Sequence, residues 1–412
     1  MKITDGLERL LWIGLAFFAL EGYFLPNTFI GDLSPFRDWQ YFSSSSHAIP
    51  GGLEVGLSYG IFVACLASYL ACSKNSSTII LTLLFLLYGT AFAINSAQPR
   101  VDVNSSACYG ALNSLIIGLA AVRILRSLPD LIILLVILGA AQSMLAIYDF
   151  SAGIHGFVSG EVIRAGGTYG HPMHLYTVAL LCLPFAAVMA FQSSNKYKRI
   201  IFGLATLVIF IALWITLYRA AILGGVLGLF WLVVRQTRNL KPILILSLIL
   251  TTSLMACIFI RSNGSVNQLS SNRSANSRFF IWRSGWMLFL KNPITGLGVR
   301  QVNISAPEKN GNHILLNDPD SIVLNVLDQF GTIGGLLFGL TIIIIIGIVQ
   351  KNNSAFADLV GSIWLSFMIA GATDTTFGAL DRTYSFALLG IIMGVTILSS
   401  IKKLDSAFEL RN

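Results

Sequence analysis

Four arginines and a few loop acids carry most of the chemistry this sequence can offer. Arg164 sits in Ile163-Arg164-Ala165-Gly166-Gly167-Thr168-Tyr169-Gly170-His171-Pro172. Glycines let a backbone approach a ligand closely, proline suits a first helical turn, and N–H groups at a helix start favour an anion. A phosphate could therefore meet Arg164, Gly167 and His171 together. The same residues also read as a turn that merely redirects the chain, with Arg164 as its solvated flank. Arg219 lies in Thr216-Leu217-Tyr218-Arg219-Ala220-Ala221, between two apolar runs with no polar loop to hold a guanidinium. At the centre of a membrane helix such a charge costs about 2.5 to 3.5 kcal/mol, and less near the interface, so it needs a partner. Headgroup phosphates reached by snorkelling would serve. So would the oxygens of a bound substrate, which a planar guanidinium engages two at a time.

Arg278 and Arg283 belong to the polar, Arg-rich block Arg261–Ser321, which has few carboxylates to balance them. Within it, Ser277-Arg278-Phe279-Phe280-Ile281-Trp282-Arg283-Ser284-Gly285-Trp286 has helical spacing that puts Arg278, Trp282, Gly285 and Trp286 near one face. Aromatic residues beside arginine suit an interfacial helix and equally a sugar-binding surface. Lys291-Asn292-Pro293-Ile294-Thr295-Gly296-Leu297-Gly298 then reads as the turn that ends this helix. A general base that takes a proton from an attacking hydroxyl would come from Asp318, Asp320 or His313, just ahead of the next apolar run. Asp374, Asp381 and Arg382 read as a local ion pair. His47, His155, His171 and His174 show no helical zinc spacing, and no metal site is expected. P-loop, dinucleotide and nucleophile-elbow motifs are missing as well.

The elements that must position these residues are membrane helices. With 55% hydrophobic and 11% charged residues, and a mean hydropathy of +0.75, the chain is not an ordinary soluble domain. About twelve runs are long enough to cross the hydrocarbon core. They are Leu7–Leu25, Val55–Cys72, Thr78–Ile94, Ala107–Val122, Leu131–Tyr148, Pro172–Phe191, Ile200–Leu217, Ala220–Val234, Pro242–Ile260, Ile322–Val349, Ala357–Ala372 and Tyr384–Ile401. The fold class expected is all-α and polytopic, one membrane domain over residues 1–412 with a large outer loop at 261–321 that holds short helices. Ile322–Val349 is long enough to begin within that loop.

Lysine and arginine in short loops resist translocation. Lys74, Arg123, Arg126, Lys196, Lys198, Arg199, Arg235, Arg238, Lys241, Lys351, Lys402 and Lys403 fall on one side. Both termini are therefore expected in the cytoplasm and the 261–321 loop outside. The net charge of +8 follows partly from this topology and calls for no nucleic-acid partner. The five cysteines fall in expected spans without disulfide or metal spacing. The first apolar run lacks a small-residue cleavage site and reads as a retained helix.

Taken in order, these motifs resemble the O-antigen ligase and O-antigen polymerase superfamily. The resemblance runs through Arg-x-x-Gly-Thr-x-Gly-x-Pro (Arg164 to Pro172), the arginine that opens a span (Arg219), and Arg-x-x-x-Trp followed by Asn-Pro-Ile-Thr-Gly-Leu-Gly (Arg278 to Gly298). It ends in Leu327-Asp328-Gln329-Phe330-Gly331-Thr332-Ile333-Gly334-Gly335. It implies an inverting glycosyltransferase of the bacterial inner membrane, acting at the periplasmic face without metal, cofactor or nucleotide-sugar. Such enzymes move a glycan from undecaprenyl pyrophosphate to an acceptor hydroxyl, on lipid A–core or on another lipid-linked repeat. By this resemblance Arg164 and Arg219 would bind the pyrophosphate, with Arg278 or Arg283 assisting. Where many members have His-Asn, this chain has Asp320-Ser321. The base would then be Asp320, or His313 seven residues upstream.

Two other classes fit some of these features. A transporter or flippase of lipid-linked glycan would share the many spans and the buried charge, but it should show symmetry between two halves, and no repeat is evident. An inactive glycolipid-binding relative would explain the absent His-Asn pair.

Overall fold

The computed structural model describes residues 131–153, 156–159, 162–167, 172–237, 252, 273–297, 304–307, 313–316, 321–351 and 354–372. In chain order they form α1 (Leu131–Ala152), a hairpin of β1 (Gly156–Ser159) and β2 (Val162–Ala165), α2 (Pro172–Gln192), α3 (Lys196–Ile215) and α4 (Arg219–Thr237). There follow α5 (Arg273–Lys291), a second hairpin of β3 (Ile304–Pro307) and β4 (His313–Leu316), α6 (Ile322–Lys351) and α7 (Ala355–Ala372). Among the described residues, six helices are long and apolar enough to cross a membrane: α1, α2, α3, α4, α6 and α7. Each coincides with a span expected from hydropathy. The expected spans at Leu7–Leu25, Val55–Cys72, Thr78–Ile94, Ala107–Val122, Pro242–Ile260 and Tyr384–Ile401 lie outside the described residues. The molecule is thus a helical, polytopic membrane protein, with two short antiparallel hairpins that hydropathy did not announce.

Helix α2 is the axis of this part of the bundle. It is apolar all round, and Tyr176, Leu180, Leu181, Leu183 and Phe185 are wholly enclosed by α1, α3, α4 and α7. Its neighbour α3 is two-sided. Phe202, Ile209, Ala212 and Leu213 face the core, whereas Ile200, Ile201, Leu204, Leu207 and Ile211 lie on the outside, where lipid would cover them. Hydropathy placed the start of this helix at Ile200, but it begins at Lys196. The reason is a cap: the Asn195 side chain accepts from the N–H groups of Tyr197 at 2.8 Å and Lys198 at 3.4 Å. Arg199 then ties the turn down, its Nε and Nη2 donating to the Ser193 carbonyl at 3.2 and 3.0 Å.

Helices α4 and α7 approach closely because small residues line their contact. A Cβ on Gly228 would run into the Ser366 hydroxyl and stand 3.0 Å from the Ser362 carbonyl oxygen. The Ser362 hydroxyl uses that proximity to donate to the Gly228 carbonyl at 2.8 Å. Toward the end of α4, Arg235 Nε donates to Asp358 Oδ1 at 2.7 Å, with its guanidinium 5.9 Å from the centre of the Trp231 ring. Asp358 occupies the first turn of α7, where the helix N-terminus favours a carboxylate. This pair marks one end of the bundle. Lys196, Lys198, Arg199, Arg235 and Lys351 gather at one end; the first hairpin, the start of α2 and Arg219 gather at the other.

The long helix α6 is broken once. Gly331 has φ 64° and ψ −160°, a conformation open essentially to glycine alone. The segment 292–297 after α5 serves the backbone groups that the break exposes. Thr332 donates to the Pro293 carbonyl through both its N–H and its hydroxyl, each at 2.7 Å. Ile333 N–H reaches the Ile294 carbonyl at 3.3 Å, and Leu297 N–H reaches the Asp328 carbonyl at 2.7 Å. A Cβ on Gly331 would collide with the Ile294 carbonyl. The Asn-Pro-Ile-Thr-Gly-Leu and Gly331-Thr-Ile motifs are therefore two halves of one junction, which ties α5 to the spanning part of α6.

Candidate functional site

The turn between α3 and α4 is three residues long and puts Arg219 at the first position of α4. Thr216 closes α3, its hydroxyl donating to the Leu213 carbonyl at 2.6 Å. Tyr218 supplies the first carbonyl of the new helix, accepting from Ile222 N–H at 2.9 Å. Between them Leu217 is held at φ 54°, a left-handed conformation that costs a branched residue about 1 to 2 kcal/mol. Its side chain is 4% exposed and packs on Ile222 and Val226. Burying a leucine is worth about 1.5 to 3 kcal/mol, enough to hold the strain. The consequence is a half-buried arginine at a helix start, where the macrodipole disfavours a cation and favours an anion beside it.

Arg164 comes to the same place from a different direction. It stands on β2, paired with Phe157 across the hairpin, and the hairpin packs on α1, α2 and α3. The side chain is 7% exposed, so the solvated-flank alternative does not hold. Its guanidinium carbon lies 5.4 Å from the centre of the Tyr218 ring, and that ring contacts Tyr176 of α2 with centroids 4.9 Å apart. The Nε is buried with no hydrogen-bond partner among the described residues. Two arginines 55 positions apart in sequence (219 − 164) are thus linked through one tyrosine, which stacks under the first and directly precedes the second.

Gly167 explains how the hairpin gets so close. It has φ 53°, and an added Cβ would stand 2.8 Å from the Cβ of Ala146 on α1. The structure thus gives it a packing reason in addition to the ligand-approach reason expected from sequence.

The other expected residues divide. On α5, Arg278 is half-buried on the same side as the buried Ile281 and Gly285, the side that meets α6. Arg283 is exposed, on a face with Phe279, Trp286 and Leu290. Trp286, which spacing grouped with Arg278, is instead 48% exposed and stacks on Phe289. His313 opens β4 opposite Pro307, and only its backbone is described. His171 and Asp320 lie outside the described residues, as do Asp318, Asp374 and Asp381. Among the described residues no three of His, Cys, Asp and Glu come together in a way that could hold a metal ion. Sequence reasoning missed Tyr218 and Tyr176. The signal available was the position of Tyr218 immediately before Arg219.

Among solved structures, the chain is similar to one in "Structural coordination of polymerization and crosslinking by a peptidoglycan synthase complex". Sequence identity is 14% and the TM-score 0.46, over 79% of this chain and 97% of that one. At that score the likeness fixes neither fold nor activity. No curated protein matches the sequence. Residues 204–339 match the family model described as O-Antigen ligase. This segment holds Arg219, Arg278, Arg283 and the Gly331 junction, while Arg164 lies before it and joins it through Tyr218. The match over residues 204–339 supports the resemblance to the O-antigen ligase/polymerase superfamily.

Proposed function

We propose that the protein is a glycosyltransferase that moves a glycan from undecaprenyl pyrophosphate to an acceptor hydroxyl, on lipid A–core or on another lipid-linked repeat. The supporting observation is the Arg164–Tyr218–Arg219 cluster. It is a buried guanidinium with an unused Nε over the ring of Tyr218, the residue directly before the arginine that starts α4. Such an arrangement suits a diphosphate better than a single headgroup, because two fixed cations can each take oxygens from a different phosphate.

The reaction would be a single displacement. The acceptor oxygen attacks the anomeric carbon as the bond from that carbon to the phosphate oxygen breaks. The hydroxyl proton passes to a base, and the pyrophosphate leaves on its lipid carrier. Arg164 and Arg219 stabilise the charge that grows on the leaving group, and Arg278, on the inner face of α5, assists. Asp320, two positions before α6 in the sequence, is the base. The chain forms one membrane domain, with the 261–321 segment and the arginine end of the bundle at the periplasmic face and both termini in the cytoplasm.

Asp320→Asn keeps the shape and removes the basicity, so transfer should fall by about a hundredfold or more. Full activity in that variant, measured by gel analysis of transferred glycan, would pass the role to His313 or to the substrate. Tyr218 gives a second test. Tyr218→Phe keeps the ring under Arg164 and should leave transfer within about twofold, whereas Tyr218→Leu should lower it about tenfold. Equal rates for the two would detach Arg164 from the reaction.

A further inference from the structure

The start of α6 carries a buried polar strip apart from the arginine cluster. Ser321, Asn325 and Asp328 follow one another at spacings of four and three, which places them on one side of the helix. They are 5%, 4% and 1% exposed. Asn325 is the informative member. Its main-chain N–H is spent on the Ser321 carbonyl at 2.8 Å, while both its carboxamide oxygen and its carboxamide nitrogen are buried with no hydrogen-bond partner among the described residues.

A buried carboxamide using neither donor nor acceptor burdens the fold, and an apolar residue of the same shape would relieve it. The burden sits on a helix that continues into a membrane span, where polar side chains are rare and tend to be functional. We propose that Asn325 is a glycan-positioning residue: its carboxamide hydrogen-bonds the hydroxyl or acetamido groups of a sugar residue held beside the first turn of α6. This rests on the transferase reading above and assigns that site a sugar subsite. The chemistry favours a sugar over a phosphate. A neutral amide offers donors and an acceptor side by side, which matches neighbouring hydroxyls, whereas the phosphates already have arginines. Asn325 lies five positions after Asp320, the proposed base, in the sequence. A sugar bound there would be held near the point of proton transfer.

The test uses the purified full chain in detergent, as wild type, Asn325→Leu and Asn325→Ala. Thermal melting is followed with three probes: undecaprenyl pyrophosphate, undecaprenyl pyrophosphate carrying its glycan extracted from cells lacking the protein, and that glycan released from the carrier. Without probe, Asn325→Leu should melt above wild type, because the unused amide is gone. Undecaprenyl pyrophosphate should shift all three proteins alike. The glycan-bearing probe should need about tenfold higher concentration with either variant than with wild type, the worth of one or two hydrogen bonds. If the carrier-linked glycan alone shows this difference, the sugar belongs to the donor. If the released glycan shows it too, the subsite takes the acceptor.

Equal responses of all three proteins to the glycan would overturn the proposal and leave Asn325 a site for a bound water. Should Asn325→Leu fail to fold, Asn325→Ala carries the glycan comparison alone. If undecaprenyl pyrophosphate shifts no protein at all, the transferase reading itself falls and takes the subsite with it. That outcome differs from a normal carrier response with no added effect of Asn325.

Discussion

Gly331→Ala is expected to lower stability by at least about 3 kcal/mol, and to do so through a single methyl group. Two effects act together. The backbone at φ 64°, ψ −160° is closed to alanine, and the new Cβ would press on the Ile294 carbonyl and lie 2.6 Å from Gly296 N. Relieving either one means moving the 292–297 segment. That movement would strip Thr332, Ile333 and the Asp328 carbonyl of partners they cannot recover within a broken helix. The control lies eight residues further along α6. Gly339 has nothing within 4 Å of an added Cβ and a helical backbone, so Gly339→Ala should be neutral or stabilising by up to about 1 kcal/mol. Melting of the two purified variants decides the matter, and equal midpoints would mean that the α5–α6 junction is not what holds α6 in its broken form.

Arg219→Ala should reduce glycan transfer by about a hundred- to a thousandfold, the effect of removing one fixed donor from a developing anion. Membrane insertion should be unchanged, because the flanking helices α3 and α4 each suffice in length and hydropathy. Stability should change little, since removing a cation that opposes the macrodipole offsets the contacts the side chain loses. A correctly inserted Arg219→Ala protein with full activity would return this residue to headgroup snorkelling. Arg219→Lys is the sharper comparison. It keeps the charge but loses the planar fork, and should recover only part of the rate.

Hydropathy located all six described spans, because a membrane helix announces itself by a long apolar run that needs no tertiary context. The ends were less legible. The start of α3 at Lys196 depends on the Asn195 cap, which lies outside an apolar window. The first hairpin was not foreseen, since four-residue strands such as Val162–Ala165 carry too little alternation to stand out beside a glycine-rich stretch. Gly331 was visible as one of several glycines in a motif. Only the loop packed against it, from some 35 positions upstream, separates it from Gly334, Gly335 and Gly339.

The site shows the same division. Arg219 could be singled out from sequence because no polar loop surrounds it, and it does begin a helix. That Arg164 would lie over Tyr218 depends on the folding of α1, α2 and the hairpin together, and nothing local encodes it. The separation of Arg278 from Arg283 follows from which face of α5 meets α6, again a property of packing. Asn325 escaped attention because its neighbours Leu324 and Val326 read as an ordinary apolar run. Its meaning lies in the hydrogen bonds it does not make.

The central claim is that this protein transfers a glycan off its lipid carrier. The length distribution of undecaprenyl-linked glycan, in cells lacking the protein and in cells carrying it, tests that claim most directly. Carrier-linked material should build up without the protein: long chains if it joins finished glycan to an acceptor, single repeats if it polymerises them. Identical distributions in the two strains would contradict it.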